Sequence, residues 1–87
     1  MLNVTEAALD RLSNKLAYKK ATADQALRVT RKPRGWKLRL DCSRPSDTAI
    51  AHDGKNVLLL DEAVCHAMRD MTLDVRAAKA GPRLTLR

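Results

Sequence analysis

The segment DGKNVLLLDEAVCHAMRDMTLDV, Asp53 to Val75, holds the longest apolar run of the chain and its sharpest punctuation. Asp53-Gly54 is a two-residue hairpin signal, because the paired positive φ angles of a type I′ turn suit Asp and Gly best. Val57 to Leu60 is apolar at every position, which predicts a central strand covered on both faces. Asp61 then offers an N-cap, with Glu62 placed against the positive end of a helix dipole. Val64 and Met68 lie one helical turn apart, so the helix is short, spanning Asp61 to Met68. Thr72 to Val75 carries β-branched residues and reads as a strand again.

At the start of the chain Met1 to Val4 predicts an edge strand, and Thr5 caps a helix that runs to Lys20. Leu9, Leu12 and Leu16 form its apolar stripe, with Asp10, Arg11, Asn14 and Lys15 facing away. Ala21 to Gln25 is a linker. Ala26 to Lys32 and Trp36 to Cys42 read as two strands joined by Pro33-Arg34-Gly35. Trp36, Leu38, Leu40 and Cys42 alternate with Lys37, Arg39 and Asp41, the period of a strand with one dry face. The same alternation assigns Arg28, Lys37 and Arg39 to a wet face. Ser43 to Asp47 is a polar connection, and Thr48 to Ala51 a strand that returns through Asp53-Gly54 to Asn56–Leu60. Leu40 and Leu59 are expected to be central in the core. Ala77 to Pro82 reads as a loop, and Arg83 to Arg87 as a last strand.

These segments together resemble the HesB/IscA-like family of iron-sulfur cluster assembly proteins, the A-type carriers. The family shows an Asp/Gly turn, V-x-V-D, a short helix and then L-D-Y/F-V. Asp53-Gly54, Val57, Leu59, Asp61 and Leu73-Asp74 carry that pattern, while Asp70 and Val75 depart from it. The opening L-x-V-T-E-x-A-A-x-x-L, Leu2 to Leu12, and the strand Leu27-Arg28-Val29 are similar to the family as well. The resemblance implies an α+β, mostly β domain over residues 1–87. Its architecture would be a twisted β-sandwich of short strands, with an N-terminal helix and one short internal helix. It also implies three cysteine ligand positions, one in a turn after the L-R-V strand and two in a Cys-Gly-Cys tail beyond the last strand. Here the turn reads Arg31-Lys32-Pro33-Arg34-Gly35, without a thiol, and the sequence stops at Arg87. A family relative that holds no cluster and no other cofactor is therefore expected.

Composition narrows the function further. At 87 residues a single domain buries only about 60 to 65% of its unfolded surface. No apolar run approaches the roughly 20 residues that span a bilayer, and Glu6 and Asp10 are out of place in a secretory leader. A cytoplasmic protein is expected. Cys42 and Cys65 have no framework spacing and read as small buried hydrophobes. Set against that, Cys42, Cys65 and His66 form a weak candidate metal or cluster site with rearranged ligands, lacking any CxxC-like spacing. His52 and His66 read as solvated, and no nucleophile, base and orienting partner can be assembled, so no enzyme is expected.

Charge is the unusual feature. Between Ala26 and Arg44, seven basic residues stand against the single Asp41, a net of +6 within a chain of +7 overall. The candidate anion- or partner-binding residues are Arg28, Arg31, Lys32, Arg34, Lys37 and Arg39. Such a patch steers an acidic protein or a nucleic acid, and equally protects an edge strand against unwanted pairing. Three readings compete. The favoured one is a non-enzymatic binding or adaptor module, the second a small basic nucleic-acid-binding domain, and the third the carrier with rearranged ligands.

Overall fold

The Asp53-Gly54 turn forms as its residues require, with φ of 53° and 76°, and it joins two strands of the larger sheet. The computed structural model describes every residue from Met1 to Arg87. In chain order the elements are β1 (Asn3–Val4), α1 (Glu6–Tyr18), β2 (Gln25–Lys32), β3 (Gly35–Cys42), β4 (Thr48–His52), β5 (Lys55–Leu60), α2 (Glu62–Ala67), β6 (Thr72–Ala78) and β7 (Gly81–Leu86). The strands form a four-stranded sheet in the order β3-β2-β5-β4 and a three-stranded sheet in the order β1-β6-β7. Pairing is parallel for β2 with β5 and for β1 with β6, and antiparallel elsewhere. The fold is α+β and mostly β, as the sequence implies.

Caps set both helices. The Thr5 hydroxyl accepts from the Ala8 amide, and the Asp61 carboxylate accepts from the Val64 amide, each satisfying a donor that the first helical turn leaves open. The Thr5 hydroxyl also donates to Asp74 Oδ1 at 2.8 Å, which ties the start of α1 to β6. At the other end of α1, the Lys20 and Ala21 amides donate to Ala17 and Leu16 carbonyls, and Lys20 takes φ of 55°. That is the Schellman arrangement with lysine where glycine is usual.

The core is aliphatic. Leu12 and Leu16 of α1, Leu27 and Val29 of β2, Leu58 and Leu60 of β5, Val64 of α2 and Leu73 of β6 are buried in one cluster. On α1 the buried stripe is Ala8, Leu12 and Leu16, with Leu9 at its margin rather than its centre. All four residues Val57–Leu60 are buried, so β5 is covered on both faces.

Three expectations change. Leu40 is not central, because β3 is the outer strand of its sheet and leaves Leu40 only half-buried. Leu59 is fully buried but lies outside the main cluster, beside the small cleft that Ala26 and Cys42 also line. The loop over 77–82 is instead a tight hairpin: β6 runs on to Ala78 and pairs with Gly81, whose φ of 112° lets the chain reverse. No helix is long and apolar enough to cross a membrane.

Candidate functional site

The β2–β3 hairpin carries most of the chain's net charge, and the fold divides it into two ends with different chemistry. At its open end Arg28 does not face solvent. It is 4% exposed, in a strand whose residues Ala26 to Val29 are all buried. The wet-face assignment of Arg28 is therefore corrected: β2 is buried on both faces there, and the Ser43–Asp47 connection folds over the Arg28 side chain. Its guanidinium is fully engaged. Nε donates to Asp41 at 2.7 Å, the two terminal nitrogens grip Asp47 at 2.9 and 2.6 Å, and one also donates to the Cys42 carbonyl at 3.1 Å.

This fork-to-carboxylate geometry is the strong form of an ion pair. Asp47 accepts in addition from the Arg44 amide at 2.8 Å, so the Ser43–Asp47 connection is wrapped around the arginine. Hydrogen bonding from Arg28 holds the Asp47 carboxyl down to about 2 and also lowers that of Asp41, while Asp47 pushes the Arg28 guanidinium above its already high value. Arg44 is a further ligand of Asp41 at 3.3 Å. The open end is thus close to neutral.

At the turn end the opposite holds. Arg31, Lys32, Arg34 and Lys37, with Arg39 further along the outer strand and opposite Arg28, are exposed and take part in none of the ion pairs. The turn packs beside the end of α2 and the end of β7: Arg31, Lys32, Pro33 and Gly35 share a cleft with Met68 and Leu86. The hairpin turn therefore lies beside the end of the last strand. At the turn the side chains are cationic.

The rearranged ligand set is not assembled. Cys42 is exposed rather than buried, which corrects its reading as a core residue: it ends an outer strand, and its Sγ meets only Asp24, at 3.7 Å. Partial desolvation and the Asp24 carboxylate push its thiol up, away from the thiolate that a metal requires. Cys65 and His66 lie on α2, whose C-terminal end adjoins the hairpin turn. Cys42 lies at the other end of β3, seven strand steps of about 3.3 Å away.

His52 is not solvated as its place before the Asp53-Gly54 turn predicts: its side chain is only 14% exposed, with Nε2 2.9 Å from Asp10 of α1. Glu6, Asp10 and His52 are the group of metal-capable side chains whose donor atoms come within 4.8 Å of one another. Its visible work is to tie α1 to the end of β4.

No protein-family model matches the sequence, and no curated protein matches it. Solved structures do. The chain superposes on IscA with a [2Fe-2S] cluster at a TM-score of 0.67 and 16% identity, covering 100% of this chain and 84% of that one. For Escherichia coli SufA, described as involved in biosynthesis of iron-sulfur clusters, the values are 0.70 and 19%, with 99% and 83% covered. A protein from Aquifex aeolicus gives 0.66 and 21%, with 99% and 89% covered. The fold is that of the IscA and SufA structures.

Proposed function

We propose that this chain is a non-enzymatic binding module on an IscA-like fold, which does not itself hold a cluster and meets an anionic partner at the turn end of its β2–β3 hairpin. The observation that carries this reading is the turn itself. On the fold of iron-sulfur assembly proteins, Arg31, Lys32, Pro33, Arg34 and Gly35 occupy the place where the resemblance implies a ligand. Iron and sulfide clusters need soft thiolates held close together. Arg and Lys offer donors only and repel cations.

The adaptor reading takes precedence over the nucleic-acid one because Arg28, counted among the basic residues in the sequence, is consumed by Asp41 and Asp47. The charge that remains free is a cluster of Arg31, Lys32, Arg34, Lys37 and Arg39 on the turn and the outer strand. Such a cluster speeds encounter with an oppositely charged surface, in a salt-dependent way.

Two measurements test the reading. Anaerobic reconstitution with iron and sulfide should leave no stoichiometric cluster, and a visible-absorbing cluster lost in Cys42→Ser or Cys65→Ser would overturn the proposal. Binding of poly-glutamate or oligonucleotides at low salt should weaken on replacing Arg31, Lys32 and Arg34 together with Ser. The same variant should stay within about 0.5 kcal/mol of the parent in stability. Unchanged binding in that variant would remove the hairpin from the function.

A further inference from the structure

Two clefts meet at Trp36, which is half-buried against the core. One, of about 580 Å³, lies between α1, β3 and β7 and is lined by the cations Arg11, Lys15, Lys37 and Arg83. The other, of about 310 Å³, leads from Trp36 to Arg31 and Lys32 at the hairpin turn. Together they form one groove with six basic side chains along it and no Asp or Glu in its lining.

The groove also borders bare backbone. The larger cleft is touched by the consecutive residues Trp36, Lys37 and Leu38 of β3, and by Pro82, Arg83 and Leu84 of β7. Successive side chains of a strand point to opposite faces, so a cleft that meets consecutive residues runs along the strand's edge. Both strands are outermost in their sheets. Pro82 removes a donor from β7, which leaves β3 as the edge able to accept a further strand. Arg11 adds an independent sign: its Nε is buried without a hydrogen-bond partner, a state that native structures rarely leave unexplained.

We infer that this groove takes an extended acidic segment of a partner protein, added alongside β3, with its carboxylates on Arg11, Lys37 and Arg83 and its apolar side chains against Trp36 and Leu38. This rests on the anionic-partner reading above and names that partner's chemistry. Strand addition draws affinity from main-chain hydrogen bonds and specificity from alternate side chains, and a strand alternating acidic with apolar residues suits a groove that has both. A second copy of this chain is disfavoured, because pairing β3 with β3 sets Lys37 and Arg39 against like charge. A single-stranded nucleic acid is less well served. It calls for successive stacking platforms, whereas the chain has one Trp and one Tyr, and the remaining floor is aliphatic.

The test is an amide chemical-shift titration of the full chain at low salt. One arm uses a short peptide alternating Glu and Val; the other uses oligo-dT and oligo-U of equal charge. The expected result is saturable shifts at residues 36–38 and at the Trp36 indole, with new protection of β3 amides from hydrogen exchange. Lys37→Glu with Arg83→Glu should weaken peptide binding about tenfold, while Lys55→Ser, exposed on β5 and outside both clefts, changes it by about twofold or less. Should the charge-reversed variant lose its native spectrum, Lys37→Gln with Arg83→Gln serves the same purpose. Shifts confined to residues 31–35 would refute the groove and leave the anionic-partner reading standing. Tighter binding of either oligonucleotide at residues 36–38 would replace the peptide by a nucleic acid. Silence toward every ligand would refute both readings.

Discussion

Arg28 and Arg39 are direct partners across the β2–β3 register, yet one is buried in a web of carboxylates and the other is exposed. The difference between them is position in the sheet. Arg28 belongs to an inner strand, where a charge persists only if it is paired and hydrogen-bonded. Arg39 belongs to the outer strand, where a charge costs little and repels unwanted strand pairing. One hairpin thus carries a structural clamp on its inner strand and a free cationic surface on its outer strand and turn. Counting basic residues in the sequence merges the two; the pattern of burial separates them.

The largest expected effect strikes the clamp. Arg28→Met should destabilise the domain by about 3 to 5 kcal/mol, since it strands the Asp47 carboxylate in a buried site. Arg39→Met should stay within about 0.5 kcal/mol of the parent. Chemical denaturation of the two variants checks this, and equal costs would erase the distinction between the inner and the outer strand. Arg28→Met with Asp47→Leu should recover much of the loss, because a buried pair replaced as a whole by apolar groups is often neutral.

Inner and outer strands should differ for apolar residues too. Leu58→Ala, at a fully buried position, should cost about 2 to 5 kcal/mol. Leu40→Ala, on the half-buried outer strand, should fall below that range. Equivalent melting temperatures for the two variants would contradict the strand order β3-β2-β5-β4.

A smaller effect is expected in acid. The Asp47 carboxyl is held at about 2 in the folded state against 3.8 for the ordinary group, so the unfolded chain takes up its proton first as pH falls. A lowered folded-state pKa stabilises fully above the unfolded value and is lost as pH drops through the folded one. Stability should therefore be flat down to about pH 4 and decline toward about pH 2. The decline should be shallower in Asp47→Asn. An identical acid limb in both proteins would mean that the clamp is not what acid breaks.

Much of this fold is legible in the sequence, and the parts that are not have a common cause. Local chemistry determines the Asp53-Gly54 turn, the Thr5 and Asp61 caps and the all-apolar Val57–Leu60 strand, and each forms as its residues dictate. Arg28 misleads because alternation reports which face a side chain takes, not whether that face is covered. A signal is present nonetheless: Ala26, Leu27 and Val29 are apolar on both sides of Arg28, as in a strand buried on both faces. Asp47 cannot be found this way, since its partner lies 19 positions away across a loop. Nor can the groove at Trp36, because Arg11, Lys37 and Arg83 meet only once α1, β3 and β7 are packed together.

The division of the hairpin is tested most directly by the arginine Nε–H resonances, monitored through solvent exchange and a poly-glutamate titration at low salt. Arg28 Nε–H, donated to Asp41 at 2.7 Å, should exchange slowly and keep its shift throughout, while those of Arg31, Arg34 and Arg39 exchange rapidly and move with added polymer. An Arg28 signal that exchanges and shifts along with the other three would mean that Arg28 is not clamped by Asp41 and Asp47.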